Sequence, residues 1–415
     1  MDASSRPSLR AVESIVVPDK DHGQVVVLRD THGVTSSQAV LPPQLVPIVA
    51  RFTGRSTCAQ IAVDVSKELG QDVPVAVVVR LAEELDGGLF LEGPAFRAAR
   101  EKVESDFASG RVRPASHAGG AYYADKVKLA RYLDDECLAK ANGAPATAAQ
   151  GQRMVALIAP HIDPWRGALG YGHAYGGMAA SLPSEADTFV LFGTSHAPMR
   201  EPFALCRKAF ATPLGEVEAD ERAIDALAAS AVGFDPYGDQ FNHKREHSLE
   251  FQVVFLKHLL GARPFKIVPV LAGLGAQQAS GKDPAGEGRI ARFMDGVKAL
   301  VESRPGKVVV VAGADMAHVG PRFGDEAYGA TARRKLEERD RASLDAATRG
   351  EAAEFWDHVA EDLEKRRVCG LAPIWSLLTA IRERGARGQV LHYEQTVDAD
   401  DGSIVSHAAV GYYAG

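Results

Sequence analysis

Apolar and polar positions follow two different rhythms along the chain. In the first hundred or so residues the spacing is mostly helical. The short run Gln24 to Leu28, bounded by Gly23 and Arg29-Asp30, predicts a strand. Pro42-Pro43 then opens a hydrophobic segment through Phe52, which predicts a helix after a proline-fixed turn. Thr57 stands as a cap before CAQIAVDVSKEL, where Ile61, Val65 and Leu69 share one helical face, and Gly70 stops it. From about Val75 a further helix puts Val77, Val78, Leu81 and Leu85 on or near one face. Asp86-Gly87 then turns the chain into Leu89-Phe90-Leu91, read as a small β wing. Phe96 to Phe107 predicts a charged helix, and the small, basic and proline-containing stretch 108–118 predicts a connection. The expected division is a partly flexible N-terminus over 1–22, a small winged-helix-like domain over 23–110 and a larger domain over 111–415.

Beyond residue 110 the rhythm changes to short, continuous apolar runs: VALIAP at 155–160, TFVLFG at 188–193, FKIVPVLAG at 265–273 and VVVVAG at 308–313. Runs of this length and β-branched content, with helical stretches between them, are what strands buried on both faces require. The closing segment QVLHYEQTVDADDGSIVSHAAVGYY predicts a hairpin turning at Asp398 to Gly402. The expected fold is therefore α/β, a mainly parallel central sheet flanked by helices.

Composition narrows the function classes. Hydrophobic residues make up 46% and charged residues 24% of 415 positions, an ordinary globular balance. The formal charge of -7 gives no general reason to bind nucleic acid or an anionic membrane, so neither partner is expected. Four widely separated cysteines form no Cys-x-x-Cys pair, which disfavours a disulfide framework and a zinc knuckle and fits a reducing, cytoplasmic setting. No run is long and apolar enough to suggest a membrane span or signal segment.

The chemistry is expected where strands end, because polar residues beyond the C-termini of a parallel sheet gather in one crevice. The first run delivers His161 and Asp163, the second Thr194, Ser195 and His196, and the fourth Asp315 and His318. A fourth group, Glu246, His247, Ser248 and Glu250, opens a helix in HKREHSLEFQ. Imidazoles converging with carboxylates suit a metal site or acid-base chemistry. His161, His196 and His247 are the expected metal ligands. His247, Asp315 and His318 are the catalytic candidates, and Asp163, Thr194, Ser195, Glu246 and Glu250 complete the cleft. Each has a structural reading too: a histidine after a strand can pack, an aspartate can satisfy turn amides, and Glu246 can cap a helix. Packing or exposure accounts adequately for His173, His243 and His258. There is no glycine-rich nucleotide loop, no Gly-x-Ser-x-Gly and no His-Glu-x-x-His.

Two resemblances add to this reading. The runs TGRSTCAQIAVDVSKELG and LAEELDGGLFLEG resemble the PqqD-related winged-helix domains, which implies a module that holds a peptide or docks a protein partner. HAGGAYYAD, APHIDPWRGALGYGHAYG, FGTSHAP, HSLE and GADMAHVGPRFG, in that order, resemble the Memo family, protein B of the AmmeMemoRadiSam system, over about 115–413. The family fold is similar to that of class III extradiol dioxygenases, where two histidines and a carboxylate hold iron. On this chain the resemblance implies His161 and His196 as ligands, with His247 as a ligand or acid/base and Asp315 close by. It also implies radical-SAM and Amme-type proteins as partners. One departure is Ala317, where eukaryotic members carry a cysteine that resembles a third ligand; Cys206 could replace it only if folding brought it near. The expected activity is that of an iron-dependent oxidoreductase of dioxygenase type. A zinc-dependent hydrolase and a non-enzymatic accessory protein, with or without a metal, are the alternatives.

Overall fold

The computed structural model describes residues 1–30, 33–141 and 152–414, and the chain divides into two units, Met1–Gly110 and Arg111–Gly415. In the first unit, β1 (Glu13–Asp19), β2 (Gly23–Arg29) and β3 (Gln38–Leu41) form an antiparallel sheet in that order. The segment expected to be loose thus contains a strand: Ile15 pairs with Val27 and Asp19 with Gly23. The helices Cys58–Leu69 and Val75–Gly87 form as the periodicity requires. Thr57 and Gln60 make a reciprocal capping box, and Gly70 closes the first helix at φ 65°. Ile61, Val65, Val78, Leu81 and Leu85 are buried in a core of this unit's own, whereas Leu69 and Val77, at the margins of the same stripes, are exposed. The expected β wing at Leu89–Leu91 is not a strand. Leu91 makes only an isolated bridge to Leu9, and the sheet precedes the helices.

In the larger unit the strands are β4 (Val112–Arg113), β5 (Arg153–Ala159), β6 (Thr188–Thr194), β7 (Phe203–Leu205), β8 (Ala209–Phe210), β9 (Glu218–Ala219), β10 (Lys266–Ala272), β11 (Val308–Gly313), β12 (Asp315–Val319), β13 (Arg387–Val397) and β14 (Ile404–Ala414). The four apolar runs become β5, β6, β10 and β11, which lie side by side and parallel in the order β5-β11-β6-β10. The rest of the nine-stranded sheet corrects the expectation of a mainly parallel one. β14 runs antiparallel to β5, β12 and β13, and β7 runs antiparallel to β10, so the sheet is mixed. The reason is the closing hairpin, whose two 11-residue strands add antiparallel edges that a crossover helix would not have produced.

Both faces of this sheet are covered. One carries the helices Glu221–Ser230, Gly288–Ser303 and Leu371–Ile381, and the other carries Ala168–Ser181 and His247–Leu260. Every residue of β11 is buried, as the unbroken VVVVAG run demands. Among the described residues no helix is long and apolar enough to cross a membrane.

A candidate metal centre at the strand ends

β5, β11 and β6 are parallel neighbours, so the residues after Ala159, Gly313 and Thr194 emerge at the same end of the sheet. The start of the helix His247–Leu260 is pressed onto that end. Gly193 and Gly313 face each other in register; a Cβ on Gly193 would lie 2.5 Å from Ser248 Oγ, and one on Gly313 would lie 2.2 Å from the Ser248 carbonyl oxygen. Only glycine at both positions lets His247 approach the two strand-end histidines.

The three rings meet. Ring centroids are 5.1 Å apart for His161–His196, 5.3 Å for His161–His247 and 4.4 Å for His196–His247. One ligand nitrogen from each lies within 4.8 Å of the others. Their outward nitrogens are fixed by acceptors. His161 Nδ1 is 2.9 Å from the Gly313 carbonyl, which can only accept, so Nδ1 carries the proton and Nε2 is left for the cluster. His196 Nδ1 lies 3.0 Å from Glu246 Oε1, and His247 Nδ1 lies 3.5 Å from the same oxygen. Glu246, buried, also accepts the backbone N–H groups of His196 (2.8 Å) and Ser248 (2.9 Å). It is at once the helix cap and the hydrogen-bond partner that orients the His196 imidazole, with His247 Nδ1 beside the same oxygen. A hydrogen-bonded carbonyl behind His161 and a carboxylate behind His196 are the support that metal-binding histidines require.

A thiol completes the cluster, and sequence reasoning missed it. Cys369 Sγ lies 3.1 Å from His161 Nε2. Burial disfavours its thiolate, yet the charges of His161 and His318 and hydrogen bonds from His161 and His196 outweigh that and bring the thiol down to about 5. For His161, burial opposes protonation, and Cys369 and Asp315 overcome it and raise the imidazole to about 9. His196 is likewise raised against burial, chiefly by Glu246, whose carboxyl is held well below its usual range by His196 despite its own burial. His247 goes the other way: burial and the neighbouring His196 charge keep it neutral. The thiol beside the cluster thus comes from Cys369, not from position 317, where the resemblance noted alanine in place of the family's cysteine. Ala317 is buried among Val319, Leu336 and Ile404, while Cys206 sits in the core with its thiol pushed up to about 11 by burial.

The other predicted residues divide. Asp315 accepts the His161 backbone N–H at 2.9 Å, and its carboxylate lies 3.7 Å from His161 Nε2, so it stands beside the cluster. His318 packs its ring on Phe323 at 5.4 Å, and its charge acts on Cys369. Thr194 donates its hydroxyl to the Cys369 carbonyl at 2.8 Å and so ties the thiol-bearing loop to β6. Ser195 turns back to the Ala197 carbonyl, and Asp163 pairs with Arg166. Glu250 is a correction. One turn into the helix, its carboxylate faces away from the cluster to Arg113, with which it forms a fully buried ion pair, and to the Tyr122 hydroxyl. Arg113 also donates to the carbonyls of His243 (2.9 Å) and Glu246 (2.8 Å), clamping the segment that leads into His247. His117, from the HAGG segment, also borders the cluster, its ring 5.6 Å from that of His247. His243 donates its Nε2–H to the Ala204 carbonyl at 3.0 Å and His258 pairs with Asp134, both outside the cluster.

Three imidazoles and a thiolate fit a borderline ion such as iron or zinc, and the buried acceptors behind them fit the ligand role. A separate cleft of about 1300 Å³, lined by Asp187, Glu218, Asp220, Lys266 and Arg304, lies at the opposite ends of β6 and β10 and contains none of these groups.

Comparison with known proteins gives the family. A model of the family described as Memo-like protein matches residues 113–411. A MEMO1 family protein of Aquifex aeolicus is 26% identical over 395 residues, covering 94% of this chain and 97% of its own length. Relatives from Methanosarcina acetivorans (31% over 253 residues, 60% of this chain and 84% of theirs) and Thermus thermophilus (27% over 351 residues, 84% and 97%) carry the same family name. A solved structure of an uncharacterized Escherichia coli K12 protein aligns with 63% of this chain and all of its own at 14% identity and a TM-score of 0.35, too distant to bear on the fold. With a family model that matches residues 113–411, nearly all of the sheet and the histidine cluster, the chain belongs to the Memo family.

Proposed function

We propose that this Memo-family chain is a metal-dependent oxidoreductase whose working ion is iron, held by the Nε2 atoms of His161, His196 and His247 with the Cys369 thiolate beside them. The observation that carries the reading is the convergence of those three ligand nitrogens within 4.8 Å. Bound there, iron would supply one-electron chemistry and activation of dioxygen towards an organic substrate of the aromatic diol class. The chain's own residues do the rest. Glu246 and the Gly313 carbonyl hold the imidazole planes in place, at 3.0 and 2.9 Å from the outward nitrogens. Asp315, with its carboxylate 3.7 Å from His161 Nε2, and the Cys369 thiol, 3.1 Å from the same nitrogen, are the acid-base groups beside His161 where a proton would be taken up or released. The N-terminal unit, with a core of its own and β1 as an open edge, serves in this reading as a docking module of winged-helix type for a protein partner, with radical-SAM and Amme-type proteins as candidates.

The test is elemental analysis of the anaerobically purified chain beside His161→Ala and His196→Ala, followed by dioxygen uptake with aromatic diols. Near-stoichiometric iron, lost in both variants, with substrate-dependent uptake supports the proposal. Zinc in the same site turns the reading to water activation and hydrolysis, because the same ligands suit that ion. No metal after reconstitution leaves an interaction protein.

A further inference from the structure

Of the three candidate ligands, His196 gets the least support from its own element. His161 follows β5 and is buried, and His247 opens a helix of 14 residues. His196 instead sits in the loop between Thr194, where β6 ends, and Phe203, where β7 begins, and it is more open to solvent than the other two. Loops move more than the elements they join, so a ligand on a loop holds its geometry only as well as its surroundings fix it. The support comes from the short 3-10 turn Gln240–Lys244, which runs straight into Glu246 and His247.

Asn242 of that turn reaches the loop on both sides of His196. Its amide nitrogen lies 3.1 Å from the Pro198 carbonyl and 3.3 Å from Ser195 Oγ. A carbonyl can only accept, so the NH₂ end of the amide faces the loop. Ser195 gives its own hydroxyl proton to the Ala197 carbonyl at 2.8 Å, and its oxygen accepts the second N–H of Asn242. One side chain thus bridges the residue before His196 and the residue two after it. Asp239, buried at the head of the turn, accepts the backbone N–H groups of Arg200 at 2.7 Å and Glu201 at 2.8 Å and fastens the far end of the loop. On its other side the turn gives the His243 carbonyl to Arg113 at 2.9 Å and the Lys244 carbonyl to the Ser116 hydroxyl at 2.6 Å. The turn is therefore anchored independently of the loop. It joins the His247 helix through the main chain and the His196 loop through side chains.

We propose that Asn242 is a positioning residue that fixes His196 relative to His247 by bracing the loop against the turn that leads into the helix. Glu246 aligns the His196 ring from one side, at 3.0 Å from Nδ1, and Asn242 holds the main chain that carries the ring. The inference rests on the proposed reading of His196 as a metal ligand.

The test uses Asn242→Leu, which removes both N–H donors at nearly constant shape, in the metal-stripped full chain. Asn242 is half-buried, and a cooperative melting transition checks that the fold is kept; Asn242→Ala takes its place otherwise. Amide hydrogen exchange in the peptide covering 195–201 should speed up by about fivefold or more, with exchange in β11 unchanged. Affinity for cobalt(II), followed by its visible absorption, should fall by about tenfold with an altered band. That loss should shrink to less than about twofold in combination with His196→Ala and persist in combination with His161→Ala. Asp220→Asn, which weakens a helix cap at the opposite end of the sheet, should lower the unfolding midpoint and leave band and affinity unchanged. Unchanged exchange over 195–201, or the same cobalt loss with and without His196, overturns the proposal. Should the wild type take up no cobalt, the proposed function fails, and exchange over 195–201 alone decides whether Asn242 holds the loop.

Discussion

Glu246→Gln is the substitution that isolates how the imidazoles are held. The carboxylate is buried and accepts from His196 Nδ1 at 3.0 Å, from the His196 N–H at 2.8 Å and from the Ser248 N–H at 2.9 Å. Glutamine keeps the shape but replaces one acceptor oxygen with an NH₂ group. Whichever way the amide turns, a donor meets a donor, either at the Ser248 N–H and His196 Nδ1 or at the His196 N–H. Groups behind a metal-binding histidine typically control about 10–100-fold in metal affinity, which corresponds to about 1.4–2.8 kcal/mol. The affinity of the stripped chain for zinc, measured at neutral pH by competition with a chelator, should fall by that amount while the melting transition stays cooperative. Asp163→Asn, whose carboxylate is engaged by Arg166, is the control and should change affinity less than about twofold. Wild-type affinity in Glu246→Gln would refute the argument that this carboxylate sets the ligand geometry.

Further expectations concern pH and packing. In the metal-stripped chain Cys369 titrates near 5, so its alkylation rate should already be on its plateau at pH 7, and His161→Ala should shift the midpoint upward; a wild-type midpoint above 8 contradicts the pairing. The thiol's depressed value contributes stability that is present above its unfolded value and lost as pH falls through about 5. The raised value of His161 contributes stability that is present below its unfolded value and lost as pH rises through about 9. Denaturant midpoints against pH should therefore decline at both edges, and less so in Cys369→Ala. Arg113→Ala leaves Glu250 buried without its cation and should cost about 3–5 kcal/mol by urea unfolding, whereas a loss under 1 kcal/mol would place that pair in water. Gly313→Ala drives a Cβ to 2.2 Å from the Ser248 carbonyl and should lower both stability, by about 1–3 kcal/mol, and metal affinity, since the helix bearing His247 must move.

The sheet and three of its histidines were legible because their signals are local. An apolar run of strand length followed by a polar residue puts that residue at a strand end, and parallel packing brings the ends together. Cys369 had no such signal. It lies in RRVCGLAP, 208 residues after His161, and reaches the cluster through a loop tied to β6 by the Thr194 hydroxyl. Position 317, which the motif resemblance marks, is instead turned by β12 into an apolar pocket. Glu250 was misplaced for a related reason. Its spacing from His247 puts it near the helix start, but the direction of its carboxylate is decided by Arg113, a residue that reads in sequence as part of a basic connection. The closing hairpin was legible as the completion of this sheet, whereas the short antiparallel strands β7 and β12, of three and five residues, are too brief to carry a pattern of their own.

The Arg113 clamp also marks where this protein can be recombined. The two units divide between Gly110 and Arg111, and the guanidinium that braces the His247 helix belongs to the third residue past that division. A gene fusion or crossover that replaces everything up to Gly110 leaves the brace in place. One that enters three residues later removes it, together with the partner of a buried carboxylate. For anyone grafting a different N-terminal unit onto this sheet, the permissible junction is narrow and lies just upstream of Arg113, although the sequence there looks like an interchangeable linker.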